Sequence, residues 1–232
     1  MNESFPFCRR EGLQAVVFDW DGVIVDSGQA SCEAYQRVFR EVGIEIEQRE
    51  IRLREGQPTP ELITSLLAQH GSSVTADRLL TMVARRRGYD LGSGKRRFFP
   101  GICELIHRLR AGGLQTAIVT GSSRSSLDQF LTPEFAADLN VVVSADDVPR
   151  SKPDPAPFLL AARWLERSPA QCLVVENAPF GIQAAREAGC RVVGLCTTLS
   201  EGDLNGAHWI VREHSDLERL LSLPLGQQMA IY

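Results

Sequence analysis

The stretch that most constrains this chain is Ala15-Val16-Val17-Phe18-Asp19-Trp20-Asp21-Gly22. A short apolar run ends in a carboxylate, skips one residue, gives a second carboxylate, and then a glycine. Because residues 15–18 are continuously apolar rather than alternating, they predict a strand buried on both faces, as in the middle of a parallel sheet. Asp19 and Asp21 then stand at the carboxyl end of that strand, where open α/β sheets gather their ligands. Two carboxylates so close are costly unless a cation or a shared proton relieves them. The bland alternative, a solvated acidic turn, is not excluded by this stretch alone.

The remainder of the chain divides in two. From residue 28 to 97 the apolar spacing is helical throughout. Tyr35, Val38, Phe39 and Val42 share one face, and Gly43 is a stop signal. A second helix is expected over 58–70, with Thr59 as its N-cap before Pro60, and a third over 74–87. No segment here has the character of a parallel strand, so 28–97 reads as an all-helical insertion, hinged near 27–28 and near 95–99. After Pro100 helices and strands alternate. Strands are expected at 114–119, 141–143, 172–175 and 191–195, with an edge unit at 209–211 and helices between them. Such alternation implies a Rossmann-like parallel sheet with helices on both faces and right-handed crossovers. The expected division is 1–27 with 98–232 as the α/β core and 28–97 as the helical unit.

A chain of 232 residues, 44% hydrophobic, suits a core domain with one insertion. The formal net charge of -4 and the lack of a long basic run argue against a nucleic-acid partner. Charge interrupts every apolar run well short of a membrane span, and residues 1–11 lack the apolar core of a signal sequence. The six cysteines are scattered without a C-x-x-C pair. That argues against zinc and a disulfide framework and points to a reducing, cytoplasmic setting. Cys172 and Cys196 lie in apolar runs and read as small core hydrophobes.

Three more expected strand ends carry polar residues of a consistent kind. Thr120-Gly121-Ser122 offers a hydroxyl and flexible backbone N–H groups. Lys152, in a proline-rich loop, offers a cation, and Glu176-Asn177 offers oxygen ligands. Taken singly, Thr120 reads as a helix cap, Lys152 as a solvated loop lysine and Glu176-Asn177 as a cap before Pro179. Together, at the ends of neighbouring parallel strands, they share one crevice with Asp19 and Asp21. Hydroxyl, N–H and ammonium groups neutralise phosphate oxygens, and carboxylate oxygens bind Mg²⁺. This is what phosphoryl transfer requires, since that chemistry is mostly positioning and charge neutralisation.

The order and spacing of these motifs resemble those of the haloacid dehalogenase-like hydrolase superfamily, in its subgroup with a helical cap inserted after the first strand. The resemblance runs from Val16 to about Leu221. It rests on Asp19-Trp20-Asp21-Gly22-Val23, Thr120-Gly121-Ser122, Lys152-Pro153, and Val175-Glu176-Asn177-Ala178 with Gly181-Ile182. Within the superfamily the chain is most similar to the phosphoglycolate phosphatase and β-phosphoglucomutase group.

The resemblance implies roles. Asp19 is the nucleophile that forms an aspartyl-phosphate, and Asp21 is the acid and base. Thr120, Gly121, Ser122 and Lys152 bind phosphate, with Lys152 also restraining Asp19. Mg²⁺ is held by Asp19, the Asp21 carbonyl, and the Glu176-Asn177 motif. Asp21 argues against carbon–halogen chemistry, because dehalogenases of the superfamily lack it. Phosphonate-cleaving members carry alanine there and need a cap lysine, whereas residues 28–84 contain no lysine. Asn177 stands where the group has a metal-binding aspartate; its amide oxygen still ligates, but without charge.

In the insertion, Arg54-Glu55-Gly56-Gln57 falls where this subgroup has a loop facing the site. Arg54 either binds an acidic substrate group or is a solvated helix-end residue. Lys95-Arg96-Arg97 reads as a solvated basic face, and the four histidines show no ligand spacing. The expectation is a Mg²⁺-dependent phosphatase of a small phosphorylated metabolite. A phosphomutase of the same fold is the alternative, and a non-catalytic protein keeping the fold is the reading from outside enzymology.

Overall fold

The computed structural model describes residues 12–91 and 97–222. The stretch 1–11, with Cys8, and the expected hinge residues 95 and 96 lie outside the described residues.

Strand β1, Ala15–Phe18, forms as its apolar run requires. The strands that follow are β2 (Val25–Asp26), β3 (Arg97–Phe98), β4 (Gln115–Val119), β5 (Val141–Val143), β6 (Cys172–Glu176), β7 (Arg191–Leu195) and β8 (Trp209–Val211). Six of them make one sheet in the order β5-β4-β1-β6-β7-β8. Every neighbouring pair in it is parallel. In register, Val17 lies between Ala117 of β4 and Val174 of β6.

Side chains alternate across a strand, so the central strands feed two separate cores. Val16, Phe18, Ile118, Leu173 and Val175 pack under the helices Ile102–Ala111 and His214–Ser222. Ala15, Val17, Ala117 and Val174 pack under Ala156–Trp164 and Pro179–Glu187. Both faces being apolar is the reason the strand sequence shows no alternation. Cys172 is fully buried in the second core, whereas Cys196, also expected to be core, is half-buried at its edge.

Between β2 and β3 the chain is helical: Gly28–Arg40, Gln48–Arg52, Thr59–Gln69 and Ala76–Leu91. These helices enclose a hydrophobic cluster of their own, with Phe39, Ile51, Ile63, Leu66, Leu79 and Val83 fully buried. The short helix Gln48–Arg52 is an addition to the sequence reading; five residues are too few for periodicity to register. Thr59 is not the N-cap of its helix. Pro58 holds that position, and Thr59 is the first helical residue.

Sequence reading also missed the pairing of β2 with β3, antiparallel with Val25 opposite Phe98. Two-residue strands carry no pattern, yet this pair is where the chain leaves and re-enters the sheet domain. Trp20 locks it in place. It lies between the two aspartates but faces the opposite way, 1% exposed, edge-on to Phe98 at 6.0 Å and close to Phe130 and Phe135. Among the described residues, no helix is long and apolar enough to cross a membrane.

Trp20→Ala is expected to cost about 3–5 kcal/mol in urea unfolding, the usual loss for a buried large aromatic. It should also lower turnover, because the residues on either side are the two crevice carboxylates.

Candidate active site

The floor of the crevice is built where the four contiguous strands β5, β4, β1 and β6 end. The Asp19 N–H donates to the Val175 carbonyl at 2.9 Å, and the Thr120 N–H donates to the Val143 carbonyl at 3.0 Å. The parallel ladders therefore continue into the first residues of the site, which fixes both backbones before any ligand arrives. Lys152, from the loop after β5, reaches beneath them and is 1% exposed. Its ammonium donates to Asp19 Oδ1 at 2.5 Å, Glu176 Oε1 at 2.6 Å and the Val119 carbonyl at 3.1 Å.

An ammonium has three hydrogens, and all three are used. Lys152 was expected to bind phosphate oxygens directly. Its donors go to Asp19, Glu176 and the Val119 carbonyl, so it holds Asp19 Oδ1 and places its positive charge beside that carboxylate. Glu176, expected on the metal, is engaged as well. Its Oε1 accepts from Lys152, and its Oε2 accepts from the N–H groups of Asn177 and Ala178 at 2.9 and 3.2 Å. It anchors the lysine.

Asp21 accepts from the Ser27 hydroxyl at 2.5 Å through Oδ1 and from the Ser122 hydroxyl at 2.8 Å through Oδ2. Ser122 N–H donates to Thr120 Oγ1 at 3.0 Å. Of the expected phosphate-binding trio, Ser122 therefore serves to aim Asp21. The Thr120 hydroxyl keeps its hydrogen for a ligand, and Gly121 lines the same cavity.

The helical segment closes over this floor through residues 55–57. A Cβ on Gly121 would lie 2.8 Å from the Gly56 carbonyl oxygen, so the two loops touch. Glu55 Oε2 accepts from the Asn177 amide at 2.9 Å and from the Thr198 hydroxyl at 3.2 Å. Arg54, expected to face the site, points the other way. Its guanidinium donates to Ser65 Oγ, the Glu50 carbonyl and Gln69 Oε1 at 2.9, 2.7 and 2.5 Å. Adjacent residues of a turn point in different directions, and here the neighbour, Glu55, received the inward place. The sequence signal was the tetrapeptide itself; which of its residues turns inward depends on the backbone, where Gly56 takes a left-handed φ of 90°.

Electrostatically the crevice has an excess of negative charge. Burial pushes the Asp19 carboxyl up, Lys152 pulls it down, and Glu176 and Asp21 raise it further, leaving it at about 7. Burial and then the Asp21 charge push Glu55 up to about 8. Burial lowers Lys152, but Asp19 and Glu176 outweigh it and push it up to about 12, so the lysine stays charged.

A divalent cation would relieve this excess, and one further observation supports it. Asn177 Oδ1 is buried without a hydrogen-bond partner, while its Nδ2 donates to Glu55 and Thr198, both at 2.9 Å. Gly22, at φ 89°, makes room for this amide; a Cβ there would lie 2.2 Å from Nδ2. A buried amide oxygen without a protein partner, in a crevice rich in carboxylates, has the chemistry of a hard-cation ligand. Among the described residues, no three carboxylate, imidazole or thiol side chains form a closed metal cage. A sparse oxygen set suits Mg²⁺, which keeps several waters and shares substrate oxygens. The residues present fit it.

A family model described as haloacid dehalogenase-like hydrolase matches residues 16–195. The validoxylamine A 7'-phosphate phosphatase of Streptomyces hygroscopicus subsp. limoneus is 34% identical over 199 residues, 82% of this chain and 92% of that protein. The β-phosphoglucomutase of Bacillus subtilis is 29% identical, over 88% and 92% of the two chains. A solved hydrolase of Pseudomonas syringae superposes with a TM-score of 0.78 at 26% identity, over 89% and 96%. The chain belongs to the haloacid dehalogenase-like hydrolase family.

Asp19 and Glu55 both carry pKa values above those of an unfolded chain, about 7 against 3.8 and about 8 against 4.5. Their contribution to the metal-free fold is complete below about pH 4 and is lost as pH rises through 7 and 8. A divalent cation replaces the missing protons. The rise in Tm on adding Mg²⁺ should therefore grow between pH 6 and pH 8.5, as thermal melts with Mg²⁺ or EDTA would record.

Proposed function

We propose that this chain is a Mg²⁺-dependent phosphatase that hydrolyses a small phosphorylated metabolite through an aspartyl-phosphate on Asp19. One observation carries the reading. Lys152, itself held by Glu176, pins one oxygen of Asp19, while Ser27 and Ser122 each donate to one oxygen of Asp21. A nucleophile and a proton carrier are thus held two residues apart, facing one cavity.

Asp19 Oδ2 attacks phosphorus, and the P–O bond to the departing alcohol breaks. Asp21 gives that oxygen its proton, then takes one from the water that attacks the acyl phosphate, releasing phosphate and restoring Asp19. The Thr120 hydroxyl donates to a phosphoryl oxygen, and the buried charge of Lys152 offsets the anionic transition state. Asp19, the Asp21 carbonyl and Asn177 Oδ1 would hold Mg²⁺, which when bound neutralises phosphoryl charge. The helical segment 28–97 serves as a cap that must lift for substrate entry and close to exclude water. The five described cysteines are free thiols, which supports a reducing, cytoplasmic setting.

The β-phosphoglucomutase relative supports a second reading, a phosphomutase, in which the aspartyl-phosphate passes to a second substrate hydroxyl instead of water. Measuring free phosphate against isomerised sugar phosphate separates the two.

Asp19→Asn should abolish phosphate release, with no residual activity above about 10⁻⁴ of the wild type once deamidation is excluded, because an amide cannot act as the nucleophile. Asp21→Ala should cost about 10²–10⁴-fold on alkyl phosphates and much less on p-nitrophenyl phosphate, whose leaving group needs little protonation. Equal losses on both substrates would remove Asp21 from the acid role.

A further inference from the structure

The wall of the cavity opposite the aspartates identifies the alcohol that the phosphate is carried on, given the phosphatase reading above. That wall belongs to the helical segment and presents Ser31, Tyr35, Glu55, Gln57 and Thr59. Its polar groups are hydroxyls, one amide and one carboxylate, set beside the apolar Ile51 and Leu62. Among the described residues lining the cavity there is no lysine, arginine or histidine. The nearby cations do not line it, although Arg52 lies close enough to Glu55 to offset part of the effect of its burial and keeps a buried Nε without a partner. Arg54 is bound to Ser65, Glu50 and Gln69. Arg52 donates to the Thr198 carbonyl at 2.6 Å and to Gln48. Lys152 lies beneath Asp19 with its three hydrogens engaged.

The wall also lacks a partner for one of its own groups. Gln57, which lines this cavity and also a neighbouring one beside Pro58 and Glu61, has its Oε1 buried with no hydrogen bond. A buried amide oxygen left so calls for a donor, and in a substrate cavity the donor is a substrate hydroxyl or ammonium. Glu55 adds an acceptor beside it.

A carboxylate or second phosphate on the substrate offers only acceptors. It would face Glu55 and lie within the field of Asp19 and Asp21, with no cation among the described lining residues to meet it. We propose that the substrate is the phosphomonoester of a hydroxyl-rich alcohol, neutral or bearing an amine, and that Glu55 rejects alcohols carrying a second anionic group. The same wall disfavours a bisphosphate, the species a phosphomutase must hold between its two half-reactions.

The test uses the full chain at saturating Mg²⁺ and at pH 9, where the carboxyl groups lining the cavity are ionised, and measures kcat/KM for phosphate release. One series is glucosamine 6-phosphate, glucose 6-phosphate, 6-phosphogluconate and glucose 1,6-bisphosphate. A shorter series is glycerol 3-phosphate against 3-phosphoglycerate and phosphoglycolate. The reference is p-nitrophenyl phosphate. The amine-bearing and neutral substrates should exceed the anionic ones by at least about tenfold, since juxtaposed like charges discriminate strongly against a wrong ligand. Glu55→Gln keeps an acceptor but removes the charge, and it should shrink that ratio severalfold. Gln57→Arg leaves the Glu55 contacts alone and adds a cation, so it should shift preference toward the anionic substrates; either variant is read only after a melt shows it folded.

Anionic substrates handled as well as neutral ones by the wild type would overturn the proposal. So would a ratio unmoved in both variants, or hydrolysis of the aryl phosphate with no polyol phosphate turned over. Failure to hydrolyse p-nitrophenyl phosphate at all would instead overturn the phosphatase reading on which the proposal rests.

Discussion

One buried ammonium between two buried carboxylates organises this molecule. Lys152 is enclosed on every side, and such a charge is tolerated inside a protein only when paired and fully hydrogen-bonded. Asp19, Glu176 and the Val119 carbonyl provide that pairing. The three come from the ends of three adjacent strands, β1, β6 and β4, while the lysine comes from the loop after the fourth, β5. Each strand therefore contributes one member of a group that is stable only when complete. Removing the lysine would leave two buried carboxylates without their cation, and removing any acceptor would leave one ammonium hydrogen buried and unpaired. The same contacts that satisfy the lysine orient the nucleophile, so stability and chemistry are joined at one point.

What the lysine does not balance determines the rest of the site. One positive charge faces Asp19 and Glu176, with Asp21 and Glu55 close by, and the surplus shows as carboxyl groups raised to about 7 and about 8. A surplus of this kind is a binding potential for a divalent cation and for substrate groups that bring hydrogen-bond donors. Asn177 fits the first need. Two acceptors, Glu55 and Thr198, hold its amide nitrogen, and this leaves its oxygen without a protein partner. The helical segment thus enters the electrostatics of the core through Glu55, although its hydrophobic cluster is its own.

The coupling between the two parts of the chain is short in sequence terms. The antiparallel pair β2 and β3, two residues each, carries the chain out of the sheet domain and back. Trp20 packs against Phe98 of that pair while the residues flanking it serve the crevice. The first motif therefore meets the chemistry through Asp19 and Asp21 and the junction through Trp20.

The sequence by itself determined the parallel sheet, because an apolar run such as 15–18 has no stable place except between two covered faces. It also determined which strand ends carry the chemistry: in a parallel sheet all carboxyl ends lie on one edge, so Asp19, Asp21, Thr120, Lys152, Glu176 and Asn177 had to meet. Tertiary structure decided what each of them does there. Lys152 and Glu176 read as ligands for phosphate and metal, but the distances join them to each other. Ser122 turned to Asp21, and Glu55 took the inward place that the pattern of residues had left to Arg54. These outcomes depend on which hydrogen is nearest to which oxygen and on the direction of a turn at Gly56. Neither is encoded in residue type or spacing, since both are settled by ångström-scale packing between segments as far apart in the chain as residues 55 and 177.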